Sequence, residues 1–348
     1  MIAAAGLTAA LWHPSPEWIE RSFTNGYFPG WQHFWCSIAA IVPFSLGDIA
    51  IAVGALAIVI VVVRGALSAR RRKRAVLFLR ALIVAAGIGG AYACWFYAGW
   101  GWGYDRAPLQ TRAVFNSAHV NPQTIAVLRA QAAAQMNGLV QAAHSLHDAN
   151  VSREDLLRGA WQPVVQRLGD DWMPLAIRAK WTLAGPFMNA SGTSGFTNPF
   201  TLETQLAPDL LWFERPFSQA HEWSHAAGYN REDEANYIAA LTCLRDPDPV
   251  ARYSGWFELF LTLPPLEHYP RSLFVAQVWR DFGAIRARNA RYVSLRLSRF
   301  SWRVYNSYLK SNHIASGVEN YDEVTILMAG IPLDAQGLPI RRVGATGM

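Results

Sequence analysis

Two histidines four residues apart, in His221-Glu222-Trp223-Ser224-His225, are the side chains whose types and spacing point most directly to chemistry. Residues four apart on an α-helix differ by about 40° around the axis, so both imidazoles project from one face and can grip a single ion. Glu222 sits one step round that face. It is too far off-axis to ligate with both histidines, but it is placed to take a proton from a water activated at the metal. Pro216 suits a first helical turn, and Gly228 suits a left-handed exit that a residue with a Cβ would resist. The motif helix is therefore short, about three turns.

A second helix is expected to start near Arg231, with Glu232, Asp233 and Glu234 at its electropositive end. A hydrolytic zinc site usually takes a third protein ligand and leaves the fourth position to water. Glu232 and Glu234 are the nearest candidates; on a helix they point about 200° apart, so only one can serve. Glu232 is preferred, with Glu234 in reserve. Asn236, one turn beyond Glu232, is the candidate for supporting a ligand through its amide.

The stretch from His221 to Ala239 resembles the signature of a bacterial family catalogued as domain of unknown function 3810, whose members are membrane-anchored and resemble zinc peptidases. The likeness extends to Val42-Pro43-Phe44-Ser45-Leu46-Gly47-Asp48, to Gly195 through Glu203, to Arg252-Tyr253-Ser254-Gly255, to Tyr308-Leu309-Lys310 and to Gly317-Val318-Glu319-Asn320-Tyr321. Glu232-Asp233-Glu234-Ala235-Asn236 is also similar to the Glu-x-x-Ala-Asp element of gluzincin membrane peptidases, in which the first Glu binds zinc. Asn236 stands where that element has Asp, and the interval from His225 to Glu232 is shorter than most gluzincins use. The resemblance implies a zincin-like catalytic domain, a bound Zn2+ and a peptide or protein substrate.

Something must hold such a site, and composition indicates what. Of 348 residues, 52% are hydrophobic and only 16% charged, a balance that points to a membrane portion. The net charge is +6, but Arg70-Arg71-Arg72-Lys73-Arg74 alone contributes five of those units. No nucleic-acid partner is expected from the near-neutral remainder. The three cysteines, Cys36, Cys94 and Cys243, are too few and scattered for a disulfide framework and read as apolar filler.

Residues 1–43 combine a short apolar start with an aromatic segment. Met1 to Trp12 would reach about 18 Å as a helix against a hydrocarbon core of about 30 Å, so it cannot span alone. It lacks a basic region expected of a cleavable signal; since related members begin with a full span, the true start is expected upstream, or this end is a remnant. Pro14 to Val42 carries seven aromatics, Trp18 through Trp35, and reads either as an interfacial segment at headgroup depth or as a packed cap on the catalytic domain.

Residues 44–104 hold two spans, roughly Phe44 to Val63 and Val76 to Trp100. Positive charge is retained in the cytoplasm, so the basic bend between them should be cytoplasmic and everything after Tyr104 should face the periplasm or cell exterior, anchored in the plasma membrane. Residues 105–330 are long enough for one catalytic domain. Within it, His144 and His147 read as solvent-facing helix residues. Met188 to Gln205 reads as a glycine-rich loop running into a short edge strand around Phe196 to Thr201, either an ordinary surface loop or a ledge that holds extended substrate.

Tyr253 or Arg252 could donate to an oxyanion if the chain folds back over the metal. Eight arginines between 271 and 303 read as the solvated face of amphipathic helices, and residues 331–348 as a mobile tail. The expected architecture is mostly α, an N-terminal transmembrane hairpin followed by a zincin-like helical domain with a short edge strand. The expected function is a membrane-anchored zinc metallopeptidase: His221, His225 and Glu232 hold the metal and Glu222 is the general base. The competing readings are a non-catalytic metal-binding envelope protein that recognises peptides, and a lipid- or nucleic-acid-binding anchor led by its arginines.

Overall fold

The computed structural model describes residues 1–149, 152–168, 172–311 and 323–342. The resemblance patch at 317–321 and the tail end at 343–348 lie outside the described residues. The chain is mostly helical with one small sheet.

A short helix α1 (Ile2–Leu11) precedes α2 (Pro16–Trp18), a π-helical stretch (Ile19–Tyr27) and α3 (Phe28–Ile41). Two long apolar helices follow, α4 (Leu46–Arg72) and α5 (Ala75–Gly99), each long and apolar enough to cross a membrane. Their apolar side chains, Val53, Leu56, Val59, Leu82, Ile83 and Val84 among them, are exposed, whereas a core helix of a soluble protein would bury them. α4 begins where Ser45 accepts from the Asp48 amide and ends at Lys73 in the left-handed region.

The hairpin closes through small residues, as helices do where no hydrophobic effect drives them together. A Cβ on Gly54 would meet the Tyr92 ring at 2.5 Å, and one on Gly65 would collide with Ala81. In the same way, Gly6 of α1 lies on the Gly90 backbone of α5. α1 is thus a third apolar helix against the hairpin. Part of the aromatic segment packs into the interior of the chain. Ile19, Phe23, Phe28, Cys36 and Ala39 are buried with Trp100, Tyr104, Leu202 and Ala226.

Beyond α6 (Leu109–Arg112), the domain is built from α7 (Pro122–Leu146), α8 (Arg153–Arg167), α9 (Gly185–Ser191), α10 (Arg215–Ala226), α11 (Glu232–Arg245), α12 (Pro249–Thr262), α13 (Ala276–Tyr292), α14 (Leu295–Ser311) and α15 (Val324–Gly330). α11 runs through the centre, buried from Glu232 to Cys243 and packed on α8, α10, α12 and α15. Its first turn places three acids in the interior, where the amides of a helix start favour negative charge.

The expected edge strand exists but is shorter, and it has a partner that sequence did not reveal. β1 (Gly195–Thr197) pairs antiparallel with β2 (Thr204–Leu206), with Phe196 opposite Gln205. The tail is not loose over 331–342: Leu338 is buried, the Asp334 amide donates to the Leu338 carbonyl at 2.8 Å, and Arg341 bridges to Ala113.

Glu203 joins the start of α4 to the domain. Fully buried, its carboxylate accepts from the amides of Leu46 (2.9 Å) and Gly47 (2.8 Å) and from the hydroxyls of Ser45 (3.0 Å) and Thr201 (2.8 Å), and it pairs with Lys180 at 2.7 Å. The first amides of a helix have no partner within it, so a side chain 157 residues from Leu46 caps α4. Burial alone would raise this carboxyl, but Lys180 and the two amides hold it below its ordinary 4.5. Its contribution is therefore complete above 4.5 and is lost as pH falls through the lower folded value. Glu203→Ala leaves Lys180 buried without a counter-charge. The expected cost is about 3–5 kcal/mol, read as a lowered unfolding midpoint of the detergent-solubilised chain.

Candidate metal centre

α10 is a short helix with Pro216 in its first turn. At its end Gly228 adopts φ 89°, and the Tyr229 amide turns back to the Ser224 carbonyl at 3.1 Å. That reversal has a chemical consequence. It brings the Tyr229 carbonyl to His225 Nδ1 at 2.7 Å, and because a carbonyl only accepts, Nδ1 carries the hydrogen. His225 therefore presents Nε2 to the site, oriented from behind as metal-binding imidazoles usually are.

α11 begins at Glu232 and aims this carboxylate at the same point. Glu232 Oε2 lies 3.2 Å from His221 Nε2 and 3.5 Å from His225 Nε2. Among the described residues, these three are the group of His, Cys, Asp or Glu side chains whose ligand atoms gather within 4.8 Å of one another. Oε2 makes no well-formed hydrogen bond although it is buried. Ligands bound tetrahedrally at 2.0–2.1 Å stand about 3.3 Å apart, so the spacing and the donor set both suit zinc.

The electrostatics agree with a cation-binding role. Burial would lower His225, but the Glu232 carboxylate pushes it up to about 9. Glu232 would itself be raised by burial, yet the two imidazoles hold it well below the usual carboxylate range. The two imidazoles thus keep a carboxylate charged in the interior, a task that a cation bound at the same point would also perform.

Glu222 is buried beside the trio, with Thr197 of β1 donating to its Oε2 at 2.6 Å and to its backbone carbonyl at 2.9 Å. Desolvation pushes this carboxyl up, against the pull of His221, His225 and Thr197. A raised carboxyl is what a general base working near neutral pH needs. Gly195 makes room for it, since a Cβ there would lie 2.8 Å from Glu222 Cδ and closer still to Oε1. Gly195→Ala is expected to displace Glu222 and to destabilise the fold by about 1–3 kcal/mol, read as a lowered unfolding midpoint.

β1 lies next to Glu222, and among the described residues β2 is its only strand neighbour. The Ser194 carbonyl and Asn198 amide bond across to β2, at 2.8 and 2.9 Å. Antiparallel alternation then turns the N–H and C=O of Gly195 and Thr197 away from β2.

The remaining sequence candidates fall in different places. Glu234 is not at the cluster: it accepts from the Leu109 amide at 2.7 Å and pairs with Arg112 at 3.0 Å. Asn236 is buried one turn beyond Glu232, and its amide makes no hydrogen bond to a described residue. Tyr253 is not an oxyanion donor in this arrangement. Its hydroxyl donates to Asp281 of α13, within the apolar cluster of Phe213 and Phe257, because that face of α12 packs on α7 and α13. Arg252 lies near the Asp246 carboxylate. Nor are His144 and His147 solvent-facing: His144 bonds Asp281 at 3.0 Å, and His147 stacks on Trp212.

Two residues at the centre escaped sequence reasoning. Tyr305 of α14 donates to Glu232 Oε1, leaving Oε2 for the trio. Trp100, the residue after α5, lies 5.8 Å from the His225 ring, and its carbonyl accepts from Asn230 at 2.9 Å. The only sequence signal for Tyr305 was its position beside the Tyr308-Leu309-Lys310 patch.

A family model described as "Protein of unknown function (DUF3810)" matches residues 23–329. No curated protein and no solved structure matches the chain.

Proposed function

The chain belongs to the DUF3810 family, and from that premise we propose that it is a membrane-anchored, zincin-like zinc hydrolase, a metallopeptidase of gluzincin-like ligand order. The observation that carries this reading is the convergence of His221, His225 and Glu232 on one point beside the buried Glu222 and the outward side of β1. A metal-binding envelope protein without catalysis would have no use for a desolvated carboxylate there.

Bound zinc would supply Lewis acidity and bring the pKa of a water at the site from 15.7 toward about 7. His221, His225 and Glu232 would hold it, and Tyr305 and the Tyr229 carbonyl would fix the orientation of two of those ligands. Glu222 would accept the water's proton at its carboxylate and return it to the leaving amine. Thr197 would steer that carboxylate, and the outward amide and carbonyl groups of Gly195 and Thr197 would hold the substrate extended, which tolerates varied sequences.

The hairpin α4–α5 would be the anchor. With Arg70 to Arg74 kept in the cytoplasm, the domain would face the periplasm or cell exterior.

The test is hydrolysis of a peptide library by the full chain in detergent. Chelation is expected to abolish cleavage, and one equivalent of zinc to restore it. Cleavage that survives complete metal removal would refute the proposal.

A further inference from the structure

The metal site and the strand edge are both fastened to the outer ends of the two apolar helices. β1 and β2 meet in a turn whose Phe200 packs on Tyr92 at 5.6 Å and on Trp95 at 5.3 Å, and Trp95 donates to the Phe200 carbonyl at 2.9 Å. Asn198 of that turn presses on Gly47. Asp48 accepts from Thr182 Oγ1 and from the Leu183 amide. His225, in turn, sits against Trp100.

Helix rise converts these contacts into depth. Asp48 and Arg64 bound the uncharged stretch of α4 and are 16 positions apart, about 24 Å of apolar helix. Tyr92 donates to the Ala50 carbonyl, which puts the Tyr92–Trp95 turn of α5 at the level of Asp48, the outer hydrocarbon edge. Trp100 is five residues further, about 8 Å. A headgroup layer is about 5–8 Å thick on each side, so His225 lies near its outer limit.

Side chains at the same level face outward and are apolar. Trp181 is 65% exposed and Leu183 63%, next to Phe44, which bridges to Trp181. Beside them opens a cavity of about 290 Å³ lined by Trp181, Pro186, Leu206 and Pro208, at the end of β2. Aromatic side chains favour this depth of a bilayer, and a patch of this kind facing water would be a liability.

We infer that the substrates of this centre are polypeptides tethered to the same bilayer, cut in the segment just outside it, which reaches β1 from the lipid side. The inference rests on the metallopeptidase reading. In the reaction the amide C–N bond breaks, hydroxyl from water joins the carbonyl carbon, and the water's remaining proton passes to the amine nitrogen.

The test places the full chain in phosphatidylcholine vesicles with a mixed-sequence peptide pool carrying a benzophenone, in four forms: free, tethered by an acyl chain, tethered by a transmembrane helix, and tethered by that helix through twelve prolines. The prolines raise the segment by about 37 Å. Wild type is scored for cleavage. Glu222→Gln is scored for photo-crosslinking, which does not depend on hydrolysis.

Both tethered forms with short linkers are expected to crosslink and be cleaved at least about 10-fold better than the proline-raised form, because a site that a spacer overshoots loses the benefit of tethering. Preference for only one tether identifies the source of the substrate and still supports the inference. Spacer-dependent crosslinking without cleavage would uphold it while removing the peptidase reading. Crosslinking equal across all forms, or absent from all, would overturn it.

Discussion

Glu222→Gln should cut peptide hydrolysis by about 100- to 10,000-fold while leaving the metal content unchanged. The substitution keeps the side chain's size and its hydrogen bond from Thr197, and removes only the capacity to take a proton at Oε2. Glu222 lies beside the trio rather than within it, so the ligand atoms gathered within 4.8 Å are untouched. Kinetics and elemental analysis on one preparation check both halves. Activity within a factor of two of wild type would remove Glu222 from the mechanism.

The second large effect separates two glutamates that sit two residues apart on α11. Glu232→Ala is expected to abolish stoichiometric zinc, since it deletes the carboxylate 3.2 Å from His221 and 3.5 Å from His225. Glu234→Ala should retain zinc but destabilise the fold by about 3–5 kcal/mol, because Arg112 and the Leu109 amide lose their buried acceptor. Elemental analysis and thermal unfolding of the two variants give opposite patterns. Loss of zinc from Glu234→Ala alone would reverse the assignment of the ligand.

Sequence was informative where structure is set locally. Pro216 and Gly228 delimit the motif helix because each acts on its own φ, and the two long apolar helices are legible because each is an apolar run of some twenty residues, long enough to cross a membrane. What the sequence withheld is pairing at a distance. β2 is three residues long with two polar side chains, and it becomes a strand only because Gly195–Thr197 lies alongside. Tyr305 reaches Glu232 from 73 residues away, and no local pattern marks which of the α14 tyrosines does so.

Tyr253 was misplaced for the converse reason. Its motif fixes a helix, but which face of that helix meets the cleft is decided by packing against α7 and α13. His144 acquired a partner, Asp281, from an element 137 residues away in the same manner.

The clasp of Glu203 on the first turn of α4 means that the hairpin is a foundation and not a leash. Excising residues 1–104 to obtain a water-soluble fragment would strip Glu203 of three of its donors and leave the turn between the strands with nothing to rest on. Thr197, which steers Glu222, belongs to the strand pair that flanks that turn, so such a fragment is expected to be inert even with zinc bound. Any failure to detect catalysis in a truncated form would report on lost scaffolding rather than on the chemistry.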